Sequence, residues 1–244
     1  MKASKAKSAM DGGNSKTDST AYDSSGKTFI GFPTIYFHKK RKGAEINKMN
    51  SELKNLALKI ENESKSDTTS SIVGGHHSDR QLFERDNWAL KQLKQLILED
   101  FSGYFKKYWS QECTTDLAKL GLKEFQVKMT GWTMIMREGD MSAPHLHHHS
   151  NISGTYYVSA PEISGDNEAQ SGNLVICDPR IRSCLGPLVH QCTSIRIPPQ
   201  PGAIVMFPSY IEHYVLPFKG KGERISIAFN IYFPRELGGL DIID

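Results

Sequence analysis

The chain has 244 residues, of which 38% are hydrophobic and 23% are charged, and its formal net charge is +3. This length suits one large domain or two small ones, and so slight a charge does not require a nucleic acid as a partner. No apolar run reaches the roughly 18 residues of a membrane helix, no apolar secretory segment opens the sequence, and the four cysteines contain no CxxC pair. We therefore expect a cytoplasmic protein with free thiols and without a membrane partner.

The first residues differ in composition from the rest of the chain. Residues 1–27 are rich in Ser, Lys, Gly, Asp and Thr and contain almost no large apolar groups. Such a segment buries too little surface to offset its ordering entropy, so we predict a flexible polar tail. Residues 28–244 are predicted to form a single domain that opens with an edge strand at 29–37. The basic run at 38–42 is predicted to be a solvated loop.

Two helices are predicted in the first half of this domain, as a helical support over residues 44–109. Apolar residues recur at three- and four-residue steps from Ala44 to Glu63, which indicates an amphipathic helix. A second helix with an aromatic-rich apolar stripe is predicted from about 83 to 109. Ser78 or Asp79, just ahead of it, are of the types that begin helices.

From Phe125 onward the pattern changes to short apolar segments separated by Gly- and Pro-rich turns. The predicted strands are 125–136, 152–158, 173–177, 193–197, 203–207, 212–216 and 224–233. Many short strands with turns between them indicate a sandwich or a barrel. The predicted fold class is therefore α+β and mainly β, with a β core over 124–234 and two helices covering one sheet.

Four of the nine histidines fall within five positions, directly ahead of a predicted strand. Alternate side chains of a strand share a face, so His145, His147 and His149 are expected to point the same way. Neutral imidazole is the commonest metal ligand in proteins, so the pattern predicts a metal site. The ligand pair is either His145 with His147 or His147 with His149, and the first leaves more chain for the turn into the next strand.

A third ligand has to come from a distant strand, and His213 follows a tight turn at Phe207-Pro208-Ser209. Shortly after it, Arg224 opens a strongly apolar strand, which would place its guanidinium in or beside a cavity. A buried guanidinium needs an anionic partner, and its fork suits a carboxylate held by two hydrogen bonds.

These motifs together resemble the 2-oxoglutarate/Fe(II)-dependent oxygenases, and more narrowly a group of largely uncharacterised members found in bacteria and phages. The resemblance spans about residues 32–233. It rests on H-x-H-x-H-S-x-x-S-G-x-Y-Y from His145, Asp178-Pro179-Arg180, F-P-S-x-x-x-H ending at His213, R-x-S-x-x-F-N from Arg224, and Gly74-Gly75-His76-His77-Ser78. It implies a double-stranded β-helix, a jelly-roll or cupin-like barrel, with two N-terminal helices packed on one sheet.

The resemblance also implies a chemistry and the residues that carry it. It implies an oxygenase, expected to be a hydroxylase, that uses Fe(II), 2-oxoglutarate and O2 on an unidentified small-molecule or protein substrate, with a homo-oligomer possible. The implied metal ligands are His145, His147 and His213, with His149 as the alternative to His145. The implied cosubstrate contacts are Arg224 with the far carboxylate, aided by Ser226 and Tyr157.

In one place the chain departs from the family pattern, because the usual His-x-Asp/Glu pair is His-x-His here. The one formal His-x-Asp, His77-Ser78-Asp79, precedes a predicted helix rather than a strand and is the less favoured metal pair. Two other functions stay open. One is a non-catalytic metal-binding β-barrel module, virion-associated or structural, and the other is a three-histidine cupin-type metalloenzyme that does not use 2-oxoglutarate. Arg224 and Ser226 favour the oxygenase, because a cosubstrate carboxylate would give them a role.

Overall fold

The structure is a computed structural model that describes residues 36–68, 70–112, 126–161, 171–179 and 194–235. Contacts divide the chain after Pro33, and the compact unit Thr34–Asp244 contains all of the described residues. The predicted polar tail and almost all of the first predicted strand lie outside them. Among the helices described, none has the length and apolar character needed to cross a membrane.

Two α-helices precede the main strands. Helix α1, Ala44–Glu63, has the predicted bounds, whereas α2, Trp88–Glu112, begins later than predicted. The start of α2 is set by Asn87, whose side-chain oxygen accepts hydrogen bonds from the backbone N–H of Ala89 and Leu90, at 2.8 and 3.2 Å. This is the side-chain cap that a helix N-terminus needs, so the prediction of a cap at Ser78 or Asp79 was wrong.

Eleven strands are described, in two antiparallel sheets. They are β1 Phe37–Lys40, β2 Ile72–Val73, β3 His76–His77, β4 Lys128–Met136, β5 Met141–His145, β6 Ile152–Ser159, β7 Leu174–Cys177, β8 Ser194–Ile197, β9 Ala203–Pro208, β10 His213–Val215 and β11 Arg224–Tyr232. One sheet has the order β1-β9-β6-β11-β4-β3 and the other β2-β5-β10-β7-β8. The short strands β2, β3 and β5 were not among the predicted strands.

The basic run near residue 40 is a strand rather than the predicted solvated loop. Strand β1 pairs with β9, with Phe37 opposite Met206. Next to it, Lys39 and Arg41 both bind the carboxylate of Asp100 on α2, which is 6% exposed. A buried carboxylate is costly unless cations pair with it, so these basic residues fix the sheet edge to the helix.

Strand β11 shows how the sequence separates the core from the cavity. All nine of its residues are buried. Ile225, Ile227 and Ile231 belong to the apolar core that the helices share with the six-stranded sheet. The alternate residues line a cavity: Arg224, Ser226, Ala228, Asn230 and Tyr232. The period of two along a strand therefore directs the polar side chains away from the helices.

The fold class is confirmed. The chain is mainly β, and α1 and α2 pack on the outer face of the six-stranded sheet, in one core with residues such as Tyr156 and Ile204. The described strands form two sheets rather than one closed barrel, and residues of both sheets line the same cavity.

Candidate metal and cosubstrate site

Three histidines from two parts of the chain meet in the cavity. His145 is the last residue of β5, His147 lies in the loop that follows, and His213 is the first residue of β10. The two strands pair antiparallel with His213 opposite His145. One ligand atom of each histidine lies within 4.8 Å of the others. At this spacing the three side chains could bind one metal ion after small shifts of the rings.

The ring orientation of two of these histidines is set by backbone carbonyls. Nδ1 of His145 lies 2.8 Å from the Ala143 carbonyl oxygen, and Nδ1 of His213 lies 2.9 Å from that of Ile211. A carbonyl oxygen only accepts, so each Nδ1 carries the proton and donates it, which leaves Nε2 unprotonated. Metal-ligating histidines typically donate their other ring N–H to a backbone carbonyl in this way. Nε2 of His145 lies 3.3 Å from Ser71 Oγ, a hydroxyl that a metal ion would displace.

Burial keeps these rings neutral. It lowers the pKa of His147 to about 2, helped by the nearby His213 and His145. Burial and the neighbouring His145 also lower the pKa of His213 to about 3, and burial lowers the pKa of His145. Three neutral imidazoles are available to a metal at neutral pH without any loss of protons.

His149, the alternative to His145, lies elsewhere. It is exposed in the turn that follows His147 and is outside the group of three. The prediction that the alternating histidines share one strand face was wrong, because β5 ends at His145. His147 is instead positioned by its loop, where its backbone N–H donates to the Ser209 carbonyl at 3.0 Å.

The His77-Ser78-Asp79 segment does not form a metal pair. His77 is buried and stacks on Trp132, with 5.4 Å between ring centroids. Asp79 is exposed and its carboxylate accepts a hydrogen bond from Arg85 at 2.6 Å. The two side chains therefore have separate structural partners.

Arg224 is a buried cation without a carboxylate. It is 2% exposed, and its guanidinium donates to the Gly172 carbonyl at 3.0 Å and to Ser226 Oγ at 3.2 Å. None of the described Asp or Glu residues forms an ion pair with it, and none lines the cavity. Burial lowers the pKa of Arg224, and the nearby Tyr157 opposes this. Burying a charge without a counter-charge costs free energy, so the guanidinium of Arg224 is suited to binding an anionic ligand.

Tyr157 lies beside that guanidinium. Its ring centroid is 5.2 Å from Cζ of Arg224, and its strand position is opposite Ser226. Its buried hydroxyl has no hydrogen-bond partner among the described residues. Buried hydroxyls are rarely left without a hydrogen-bond partner. Burial also raises the pKa of Tyr157, so its hydroxyl stays protonated. The hydroxyl is thus a donor available to a ligand.

The three histidines, Arg224, Ser226 and Tyr157 line one cavity of about 330 Å³. Prediction from sequence missed two further residues of its wall. Trp132 stacks on His147, with 5.8 Å between centroids and 22° between planes, and Asn230 contacts Nδ1 of His147 at 3.1 Å. Asn230 could have been found from the alternation that links it to Arg224 and Ser226 along one strand.

The residues present fit both groups that the resemblance implies. Imidazole nitrogen is a ligand that iron accepts, together with other first-row metals such as zinc and copper. The described lining has no carboxylate, Arg224 forms no ion pair within it, and the Tyr157 hydroxyl has no partner there, which suits a dianionic organic acid with carboxylates at both ends.

Residues 130–230, which carry all six of these side chains, match the model of a family described as "Putative 2OG-Fe(II) oxygenase". A search of curated proteins finds no match. Among solved structures, a Pseudomonas putida prolyl-4-hydroxylase is similar at 16% identity and a TM-score of 0.52, over 81% of this chain and 92% of that one. The carbocyclase SnoK from nogalamycin biosynthesis is similar at 11% identity and a TM-score of 0.52, over 81% and 79%. These two likenesses show the fold alone.

The family match covers the strands that hold the histidines and Arg224, and the three-histidine cluster suits iron. Residues 130–230, the part of the chain that carries the site, therefore match the family "Putative 2OG-Fe(II) oxygenase", and the side chains there fit the Fe(II) and 2-oxoglutarate that such enzymes use.

Proposed function

We propose that the protein is a hydroxylase whose iron is held by His145, His147 and His213. Arg224 and Ser226 then bind the far carboxylate of 2-oxoglutarate in the same cavity, and Tyr157 donates a second hydrogen bond to it. When bound, Fe(II) supplies the open coordination positions and the redox chemistry that couple decarboxylation of 2-oxoglutarate to succinate with oxygenation of a substrate C–H bond.

The chain itself contributes position and exclusion of water. Backbone carbonyls hold the rings of His145 and His213 so that their free nitrogens face the centre. The guanidinium of Arg224 is fixed by Gly172 and Ser226 before any ligand arrives, so little side-chain entropy is lost on binding. Apolar residues such as Leu174, Phe207 and Val215 line the cavity between these groups, which strengthens each charge interaction inside it.

The observation that carries the proposal is that Arg224 is buried and that no carboxylate among the described residues pairs with it. A non-catalytic module would gain nothing from an isolated cation at the end of a cavity, and a three-histidine enzyme without 2-oxoglutarate would leave it unpaired. A dicarboxylate bound to the metal through one end and to Arg224 through the other would explain both the histidine cluster and the buried arginine.

The test is an anaerobic titration of the Fe(II)-loaded protein with 2-oxoglutarate, followed by the metal-to-ligand charge-transfer absorption. Arg224→Ala is expected to weaken 2-oxoglutarate binding at least about 100-fold, since a charge-assisted pair to a buried anion is worth about 3 kcal/mol or more. Arg85→Ala is the matched control, because that arginine forms an exposed ion pair with Asp79. Unchanged 2-oxoglutarate binding in Arg224→Ala would overturn the proposal.

We further propose that the enzyme acts in the cytoplasm on a substrate other than nucleic acid. The unpaired Cys177 supports a reducing compartment, and the small net charge gives no electrostatic reason for nucleic-acid binding. Fractionation of the native host followed by detection of the full chain would test the location.

A further inference from the structure

The third histidine of the cluster is held differently from the other two. His145 and His213 direct Nδ1 at backbone carbonyls, whereas Nδ1 of His147 lies 3.1 Å from the side-chain amide nitrogen of Asn230. A carbonyl fixes the ring tautomer, because it only accepts. A carboxamide can donate through its nitrogen or accept through its oxygen, so the tautomer of His147 depends on which end of Asn230 faces it.

The other end of Asn230 enters a chain of buried hydroxyls. Its side-chain oxygen accepts a hydrogen bond from Ser153 Oγ at 2.8 Å. Ser153 Oγ lies 2.8 Å from Ser209 Oγ, which in turn accepts from Ser150 Oγ at 2.8 Å. A hydroxyl both donates and accepts, so the chain can satisfy either orientation of the amide by reversing the hydrogen bond between Ser153 and Ser209.

The two orientations differ in what they allow at the metal. With the amide nitrogen toward His147, Nδ1 accepts, the neutral ring carries its proton on Nε2, and Nε2 has no lone pair to offer. After a half-turn about the last side-chain bond of Asn230, its oxygen accepts Nδ1–H, and Nε2 is free to bind metal. The amide nitrogen then donates to Ser153 Oγ.

We propose that Asn230 is a positioning residue of the metal centre: it sets the Nδ1–H tautomer of His147, and the serine chain satisfies the other end of its amide. The inference rests on the proposed function, since it requires a metal at the three histidines. Stacking on Trp132 and His213 already fixes the plane of the His147 ring, at 22° and 11° to those rings. Asn230 adds the proton placement that stacking does not control.

The experiment measures Zn(II) affinity of the full chain by chelator competition, without 2-oxoglutarate. Zn(II) is a diamagnetic probe that accepts the same imidazole ligands. Asn230→Leu, which removes both donor and acceptor, is expected to weaken Zn(II) about 10- to 100-fold. Asn230→Asp keeps an acceptor for Nδ1–H and is expected to bind at least as tightly as wild type. Asn50→Leu is the matched control, since its amide accepts a hydrogen bond from Tyr156 on the helix side of the sheet.

Nitrogen-15 NMR of histidine-labelled wild type gives a readout that needs no variant. In the Zn(II) complex, His147 is expected to bind through Nε2 and to carry its proton on Nδ1. Coordination through Nδ1 would overturn the inference, as would an Asn230→Leu affinity equal to wild type or an Asn230→Asp affinity as weak as that of Asn230→Leu. Failure of wild type itself to bind Zn(II) would instead count against the proposed metal site, so the two failures are distinguishable.

Discussion

Tyr157 and Arg224 lie against each other in the wall of the cavity, with the phenol ring centroid 5.2 Å from the guanidinium carbon. They come from neighbouring strands and both are buried; the Tyr157 hydroxyl has no hydrogen-bond partner among the described residues, and Arg224 forms no ion pair with any of them. A buried cation without a counter-charge, next to an unpaired hydroxyl, is costly in the free protein and useful to an anionic ligand.

Tyr157→Phe is expected to separate stability from binding. Removing a buried hydroxyl that has no partner should raise the free energy of unfolding of the ligand-free protein, by about 1 kcal/mol. The same change removes a donor to the cosubstrate, so 2-oxoglutarate affinity should fall about tenfold. Thermal unfolding and the anaerobic 2-oxoglutarate titration measure the two effects. Lower stability with unchanged affinity would show that Tyr157 has only a packing role.

Gly172→Ala is expected to disturb Arg224. Gly172 has a φ of +62°, and a methyl group there would lie 3.0 Å from Cδ and 3.2 Å from Nε of Arg224. Backbone strain should cost about 1 kcal/mol of stability, and displacement of the guanidinium should weaken 2-oxoglutarate binding. Gly139→Ala is the control, since Gly139 has a φ of +92° and nothing within 4 Å of the added methyl. Equal 2-oxoglutarate affinities in the two variants would contradict this role of Gly172.

His147→Asp tests the effect of charge at the metal. The described lining has two arginines and no carboxylate, so in wild type the negative charge that balances a divalent ion comes from 2-oxoglutarate. We expect 2-oxoglutarate to increase the Mn(II) affinity strongly in wild type. The increase should be smaller in His147→Asp, where the introduced carboxylate already balances part of the metal's charge. Paired Mn(II) titrations with and without 2-oxoglutarate, read by EPR, give this coupling. A coupling as large in the variant as in wild type would contradict the charge argument.

The histidine cluster should make the metal-free protein sensitive to acid. The folded-state pKa values of His147 and His213 are about 2 and about 3, below the ordinary value of 6.5. Below pH 6.5 the unfolded chain therefore binds protons that the folded protein does not, so stability is full above 6.5 and is lost as pH falls toward 3. The loss is up to about 1.4 kcal/mol per pH unit for each histidine.

Urea unfolding of chelator-treated protein between pH 7 and 5 isolates this effect, because most carboxylates titrate below that window. His213→Asn should flatten the profile, since it removes one of the shifted groups. A wild-type stability that stays constant from pH 7 to 5 would contradict the prediction.

Several elements could be predicted from the local sequence pattern alone. The apolar spacing predicted the bounds of α1, Ala44–Glu63, because a helix on a core repeats its buried positions every three or four residues. The apolar run after a Gly-rich turn predicted β11, and the resemblance pointed to Arg224, Ser226 and Tyr157 as cosubstrate contacts. In each case the information lies within one segment of the chain.

Other features depended on contacts between distant segments. The pairing of His213 with His145 follows from the register of β10 on β5, and His149 is outside the cluster because β5 ends before it. The start of α2 is set by Asn87 rather than by the earlier Ser78 or Asp79.

The sequence by itself was enough to predict an oxygenase-type site built from histidines and one arginine, because residue types and their order carry that chemistry. Only the tertiary structure decided which imidazoles meet, that no described carboxylate neutralises Arg224, and that Asn230 faces His147. The physical reason is that ligand geometry, desolvation and hydrogen-bond partners are set by pairs far apart in the chain, whose positions follow from strand register and loop course.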